Sequence, residues 1–335
     1  MSGPAPWIAA QTGQLLAQRG HAWLLYGPSG LGQYDLALSL ARAWLCEEPG
    51  PAGACGRCQS CHAIDVRAHA DLFVLMPETA MLALGWPLDE KAQADIDDKK
   101  RKPSRDIRIE SVRDAVEFAQ RTSGRGRGKV VLAYPAQRMN VASANALLKT
   151  LEEPPGDLRF VLATEAAHLL LPTIRSRCIG HAMAWPAAAE AAQWLAAQGL
   201  DAADVPALLR AGGGRPQEAL TLAQAGLDRQ GWSQLPRALA AGDAGVLADW
   251  PPARAVEALQ KVCHDQMAVA CGAPPRFFEP ADLPAAAPLK RLSDWSRELL
   301  RTARTAEHPF NAGLMTEALV SRARRALHSG GLKVQ

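Results

Sequence analysis

The sequence predicts an α/β module built on a parallel sheet, followed by an all-helical region. Three observations carry this. Short apolar runs alternate with helical patterns over the first half of the chain. Strand signals vanish from about Trp185 onward. The composition is 48% hydrophobic but only 5% aromatic, with Ala and Leu dominant, and those residues favour helix. At 335 residues the chain has room for two or three domains.

Each element follows from its residues. Gln11 to Gln18 reads as a short helix. Ala22-Trp23-Leu24-Leu25-Tyr26 reads as a buried strand that runs into Gly27-Pro28-Ser29-Gly30-Leu31-Gly32-Gln33-Tyr34. The next helix places Leu36, Leu40 and Trp44 on one face. Asp71 to Leu75 is a second strand. Residues 79–106 are expected to form an irregular charged insertion carrying Lys99-Lys100-Arg101-Lys102. Ile109 to Arg121 is helical. Lys129 to Ala133 is a third strand, apolar after its first residue, as a strand covered on both faces should be. Ser143 to Glu153 is a helix stopped by Pro154-Pro155. Arg159 to Ala163 is a fourth strand. Gly212-Gly213-Gly214 breaks the helical half, and a looser linker is expected near Ala240 to Pro252. No internal repeat is visible.

Composition narrows the function classes. A net charge of +3 does not by itself point to nucleic acid. No apolar run approaches a membrane span. No basic region followed by an apolar core opens the chain, so no secretion signal is expected.

The glycine loop after the first strand has the layout of a phosphate-binding loop. Such loops end in Lys, which neutralises the β- and γ-phosphates, and then Ser or Thr, which holds Mg²⁺. Here Gln33 and Tyr34 occupy those places. Gln carries no charge, and a phenol is too large for the metal-binding hydroxyl. The strand that should end in acids ends in Ala133-Tyr134-Pro135-Ala136. These two departures are independent, and together they argue against nucleotide hydrolysis.

Four of the seven cysteines, Cys46, Cys55, Cys58 and Cys61, form C-x8-C-x2-C-x2-C. That spacing suits tetrahedral Zn²⁺, with free thiols or a His62 ligand as alternatives. A closed four-thiolate shell leaves no place for an activated water, so the expected role is structural. Thr173-Ile174-Arg175-Ser176-Arg177-Cys178 follows the fourth strand. Arg177 reads either as a helix-capping or solvated charge or as a finger toward a phosphate held by another subunit. Lys99 to Lys102 with Arg125, Arg127 and Lys129 read as solvated charge, because no aromatics interleave them for base stacking. Arg215, beside Pro216 and Gln217, reads as structural. Cys263 and Cys271 read as small core residues, and Trp44 and Trp295 as helix-packing positions.

The altered loop, the cysteine set, Asn145-Ala146-Leu147-Leu148-Lys149-Thr150-Leu151-Glu152-Glu153-Pro154-Pro155, Ser176-Arg177-Cys178 and His308-Pro309-Phe310-Asn311 together resemble the AAA+ clamp-loader family of bacterial DNA polymerase III. The resemblance covers nearly the whole chain, with residues 79–106 as its main departure. It implies a RecA-like AAA+ module over residues 1–182 with the zinc knuckle (46–61) inserted. A small helical lid over 183–228 and a C-terminal helical collar over 229–335 would follow. It further implies a stator that does not burn ATP and presents Arg177, flanked by Ser176 and Cys178, to the ATP of a neighbour. Thr164 lies near the place of a nucleotide-sensing threonine. The implied partners are gamma/tau motor subunits and a delta subunit in a cytoplasmic heteropentamer, and primer–template DNA through the assembled complex. Two rivals are an ATP-hydrolysing motor with an atypical loop and a zinc-dependent DNA-binding protein acting alone.

Overall fold

The computed structural model describes residues 3–306 and 312–328. The segment His308-Pro309-Phe310-Asn311 lies outside the described residues. The chain divides into two compact units, Met1–Pro186 and Ala187–Gln335.

The first unit runs α1 (Pro6–Leu16), β1 (Ala22–Tyr26), α2 (Gln33–Leu45), α3 (Gln59–Asp65), β2 (Leu72–Leu75), α4 (Glu78–Ala83), α5 (Glu90–Asp97), α6 (Ile109–Gln120), β3 (Lys129–Ala133), α7 (Val141–Glu152), β4 (Leu158–Thr164), α8 (Pro172–Arg175) and β5 (Ile179–Ala182). The strands form one sheet in the order β2-β3-β4-β1-β5. Every pairing is parallel.

Side-chain alternation explains why the central strands are mostly apolar. Leu24, Val131, Ala133, Phe160 and Leu162 share a core with Val112, Ala115, Leu147 and Leu151 of α6 and α7. Their neighbours Trp23, Leu25, Val130, Leu132 and Val161 point the other way and are also buried. Helix α2 packs against β1, β3 and β4, with Leu36 and Leu40 fully buried. Helix α7 starts where the Asn140 side chain accepts the Ser143 N–H at 2.8 Å, a cap that offsets one orphan donor.

Three expectations change. A fifth strand, β5, exists. Its Ile-Gly-His-Ala sequence has no alternating pattern, because it lies on the sheet edge with Ile179, Gly180 and Ala182 exposed. Residues 79–106 are irregular only in part, since they also carry most of α4 and all of α5. Helix α5 is started by Asp89, whose carboxylate accepts the Ala92 N–H at 2.8 Å. The first helix begins at Pro6 rather than Gln11, with Trp7 and Ile8 buried.

The second unit holds α9 (Ala188–Ala197), α10 (Val205–Ala211), α11 (Pro216–Gln224), α12 (Arg229–Ala241), α13 (Pro252–Ala270), α14 (Leu289–Ala303) and α15 (Ala312–Leu327). Leu195, Leu208, Leu222, Trp232, Leu259, Trp295 and Val320 belong to one core. The stretch expected as a loose linker near 240–252 contributes a fully buried Leu247 to it. Cys263 is a core residue as expected, whereas Cys271 is exposed, one residue past the end of α13.

Candidate functional site

The glycine loop joins β1 to α2 at the carboxyl edge of the sheet. Gly30 and Gly32 take φ of 80° and 93°, which L side chains rarely adopt. A Cβ on Gly27 would stand 3.0 Å from Cβ of Met183. Gln33 begins α2 and is 2% exposed. Its amide donates to the carbonyl oxygens of Gly27 at 2.8 Å and Pro28 at 2.7 Å. The loop is thus closed by a side chain of its own helix.

Tyr34, the next residue, is also buried. Its ring centroid lies 5.5 Å from that of Tyr134, at the end of β3. The Tyr134 hydroxyl donates to Glu165 at 3.1 Å. Burial raises the pKa of Tyr34 against the opposing hydrogen bond from Trp86. Burial, then the Glu165 charge, raises that of Tyr134. Both phenols are therefore neutral near pH 7. Thr164 ends β4 beside Tyr26 in register and is fully buried. Its hydroxyl donates to Gln137 at 2.6 Å. Loop, tyrosines and threonine all meet at the carboxyl ends of neighbouring parallel strands, where ligands of open α/β sheets bind.

Arg177 lies at the other edge. It precedes β5, whose Ile179 pairs with Trp23 at the start of β1, while the glycine loop follows Tyr26 at the end of β1. Three strand steps, about 10 Å at ~3.3 Å each, separate those two paired positions alone. Near this edge His21 contacts the Leu151 carbonyl at 3.1 Å, beside Glu152. Arg177 donates from Nε and Nη2 to one oxygen of Glu152 at 3.0 and 2.9 Å, and from Nη1 to the Thr173 carbonyl at 3.1 Å. Its side chain is 30% exposed. Ser176 donates to the same Thr173 carbonyl at 3.2 Å. Cys178 packs against the sheet core, and burial pushes its thiol up to about 12.

Cys46, Cys55, Cys58 and Cys61 converge between α2 and α3, with all four sulfurs within 4.8 Å of one another. Cys46 Sγ stands 3.8 Å from both Cys58 Sγ and Cys61 Sγ. Zn–S bonds of ~2.3 Å in a tetrahedron require sulfur–sulfur edges of about 3.8 Å, so the set fits a metal ion without rearrangement. Backbone N–H groups of Cys55, Cys58 and Cys61 each point at a cluster sulfur, at 3.2 to 3.4 Å. These donors would orient the thiolates around an ion.

Four of the basic residues have local partners. Lys129 is buried, and its ammonium donates to the carbonyl oxygens of Phe118, Ala119 and Arg121 at the end of α6. It is a helix cap rather than solvated charge. Arg125 pairs with Glu47 at 2.9 Å, Arg101 with Glu78 at 2.6 Å and Lys100 with Asp98 at 2.8 Å. Arg215 is structural as expected, bonding the Gly212 carbonyl at 2.8 Å and Glu257 at 3.2 Å. Two site residues escape sequence reasoning. Trp86 donates to Tyr34 at 2.7 Å across 52 positions. Glu152 holds Arg177 across 25. Only the isolated Gly-Trp-Pro in a charged stretch hinted at the first.

A family model described as DNA polymerase III, delta subunit, matches residues 11–184, more than half of the chain. The chain is 42% identical over 229 residues to the DNA polymerase III subunit delta′ of Pseudomonas aeruginosa, covering 67% of this chain and 63% of that protein. The chain belongs to the delta-prime family of DNA polymerase III clamp-loader subunits. The delta′ subunit of Escherichia coli is 34% identical over 225 residues, covering 65% of this chain and 60% of that protein. The match thus spans about three-fifths of these relatives' own length. A gamma subunit-related protein from Thermotoga maritima superposes with a TM-score of 0.52 over 96% of this chain and 99% of its own, at 15% identity. That likeness shows the AAA+ type of fold. Among the described residues, no helix is long and apolar enough to cross a membrane.

Proposed function

We propose that this chain is the non-hydrolysing stator of a bacterial clamp loader, supplying Arg177 to the triphosphate bound by a neighbouring motor subunit. One observation carries the reading. Arg177 stands at the sheet edge opposite the chain's own glycine loop. A guanidinium there serves a phosphate only on another chain, where its permanent planar charge stabilises the phosphoryl group in transfer. A finger supplied in trans acts only in the assembled ring, so a neighbour's hydrolysis becomes conditional on assembly geometry.

The loop supports the same reading. Gln33 replaces the phosphate-binding Lys, and its amide is already committed to two loop carbonyls. Tyr34 replaces the metal-binding hydroxyl, and Tyr134 stands where the strand-end acid belongs. In this reading residues 1–182 are the AAA+ module, 183–228 the lid and 229–335 the collar that joins the ring. Gamma/tau and delta subunits are the partners in a cytoplasmic heteropentamer that loads the sliding clamp on primed DNA. Cys46, Cys55, Cys58 and Cys61 hold a structural Zn²⁺.

The test is the ATPase of the reconstituted loader with Arg177→Ala. The expected loss is up to about 10³-fold at the one site this chain faces, the other sites setting the residual rate. Unchanged turnover at every site would remove the assignment.

A further inference from the structure

We propose that residues 78–106 are a resident plug of the glycine-loop site, with Trp86 as a built-in ligand that holds Tyr34 in the place of a bound nucleotide and its metal. The inference stands on this chain alone and does not depend on the role of Arg177.

The segment is built as a closed excursion. At its neck the Glu78 carboxylate receives both outer nitrogens of Arg101, at 2.6 and 2.9 Å, and the Ser104 N–H at 2.7 Å. Thr79 N–H donates to the Ser104 carbonyl at 3.1 Å, so the two ends of the excursion are laced together. The Glu78 side chain is only 12% exposed. A charged loop without purpose beyond solubility has no need of a half-buried ionic clasp at its base.

The tip is apolar and delivered to one place. Trp86 is 7% exposed in a segment whose other residues are mostly charged or polar. Its indole N–H donates to the Tyr34 hydroxyl at 2.7 Å. The Arg67 guanidinium lies 4.7 Å from the indole centroid, covering the ring. Tyr34 in turn lies against Tyr134, which is tied to Glu165. A chain of buried and half-buried groups thus runs from the insertion, through the position of the metal-binding hydroxyl, to the position of the strand-end acid. In a nucleotide-binding protein the phosphates and Mg²⁺ bridge those same elements. Here Trp86, Tyr34 and Tyr134 bridge them instead, so the first unit keeps a filled site without nucleotide.

The experiment is a fluorescence titration of the purified full chain with a methylanthraniloyl derivative of ATP, with and without Mg²⁺. Four proteins are compared: wild type, Gln33→Lys, Gln33→Lys/Trp86→Ala and Gln33→Lys/Trp86→Phe. The first two are expected to show no saturable binding. Removing the indole should release Tyr34 and produce saturable binding that Gln33→Lys lacks. Trp86→Phe keeps an aromatic ring but deletes the N–H donor, and it serves if the alanine variant fails to fold. Limited proteolysis supplies the second readout: both Trp86 variants should be cut within 79–106 at least tenfold faster than wild type. Micromolar binding by wild type would overturn the proposal. So would equal binding by Gln33→Lys and its folded Trp86 variants, or unchanged cleavage of the segment.

Discussion

Replacing Gln33 by Ala should destabilise the first unit, because the residue closes the loop from within. The amide makes two hydrogen bonds, to the Gly27 and Pro28 carbonyls, and is almost wholly buried. A net hydrogen bond contributes about 1 kcal/mol, and orphaned carbonyls add part of their desolvation cost. The expected loss is therefore roughly 2–3 kcal/mol, or a fall of about 4–12 °C in Tm for a unit of this size. Two further substitutions separate this from a simple loss of volume. Lys retains a donor for the same carbonyls and should lie between Gln and Ala. Glu sets a carboxylate against two carbonyl oxygens and should fall below Ala. Thermal and urea unfolding of the purified chain give the order. If Gln33→Ala unfolds within about 0.5 kcal/mol of wild type, surface-like behaviour, the amide does not hold the loop and the reasoning fails.

Other consequences are simpler to state. Arg177→Ala and Glu152→Gln should each leave Tm of the isolated chain within about 4 °C, since exposed ion pairs contribute ~0–1 kcal/mol, while under the proposed function Arg177→Ala lowers the assembled loader's ATPase. Elemental analysis should find one zinc per chain, and Cys61→Ser should lower metal retention under a chelator; full retention would argue against the four-cysteine site. Acid should loosen the clasp of residues 78–106. Burial works against ionisation of Glu78, but the hydrogen bonds of Arg101 and Ser104 and the Arg108 charge outweigh it and lower its pKa. A lowered carboxylate contributes stability that is present above its unfolded pKa of about 4.3 and is lost as pH falls through the folded value. Glu78→Gln should therefore flatten the acid limb of the stability profile below about pH 5, and an unaltered limb would refute the clasp.

What the sequence made legible was local. The central strands announced themselves because burial on both faces demands unbroken apolar runs. The cysteine set was legible because ligand spacing within a knuckle is short. Strand β5 was hidden, since an edge position places no hydrophobic demand on Ile179 to Ala182. Helices α4 and α5 were hidden for a related reason: an ionic clasp and a capping aspartate hold them, not an amphipathic stripe. Lys129 looked like free charge, because nothing in its neighbours reveals that its ammonium ends on the last carbonyls of α6. The pairing of Trp86 with Tyr34 is illegible in principle, since each residue alone reads as ordinary packing.

The two edges of the sheet follow different rules, and this shapes how the chain works. At the carboxyl edge four side chains at nucleotide-facing positions are already engaged within the chain: Gln33 with loop carbonyls, Tyr34 with Trp86, Tyr134 with Glu165, Thr164 with Gln137. Each new contact that ATP made with those side chains would first have to break an old one. At the amino edge Arg177 is held, among the described residues, by a half-exposed carboxylate and one carbonyl. Exposed pairs of that kind exchange partners at a cost of ~1 kcal/mol or less, so a triphosphate carrying several negative charges competes for the guanidinium with ease. Under the proposed function, engaged side chains at one edge and a loosely held arginine at the other would make a subunit rigid toward its own loop and responsive toward its neighbour.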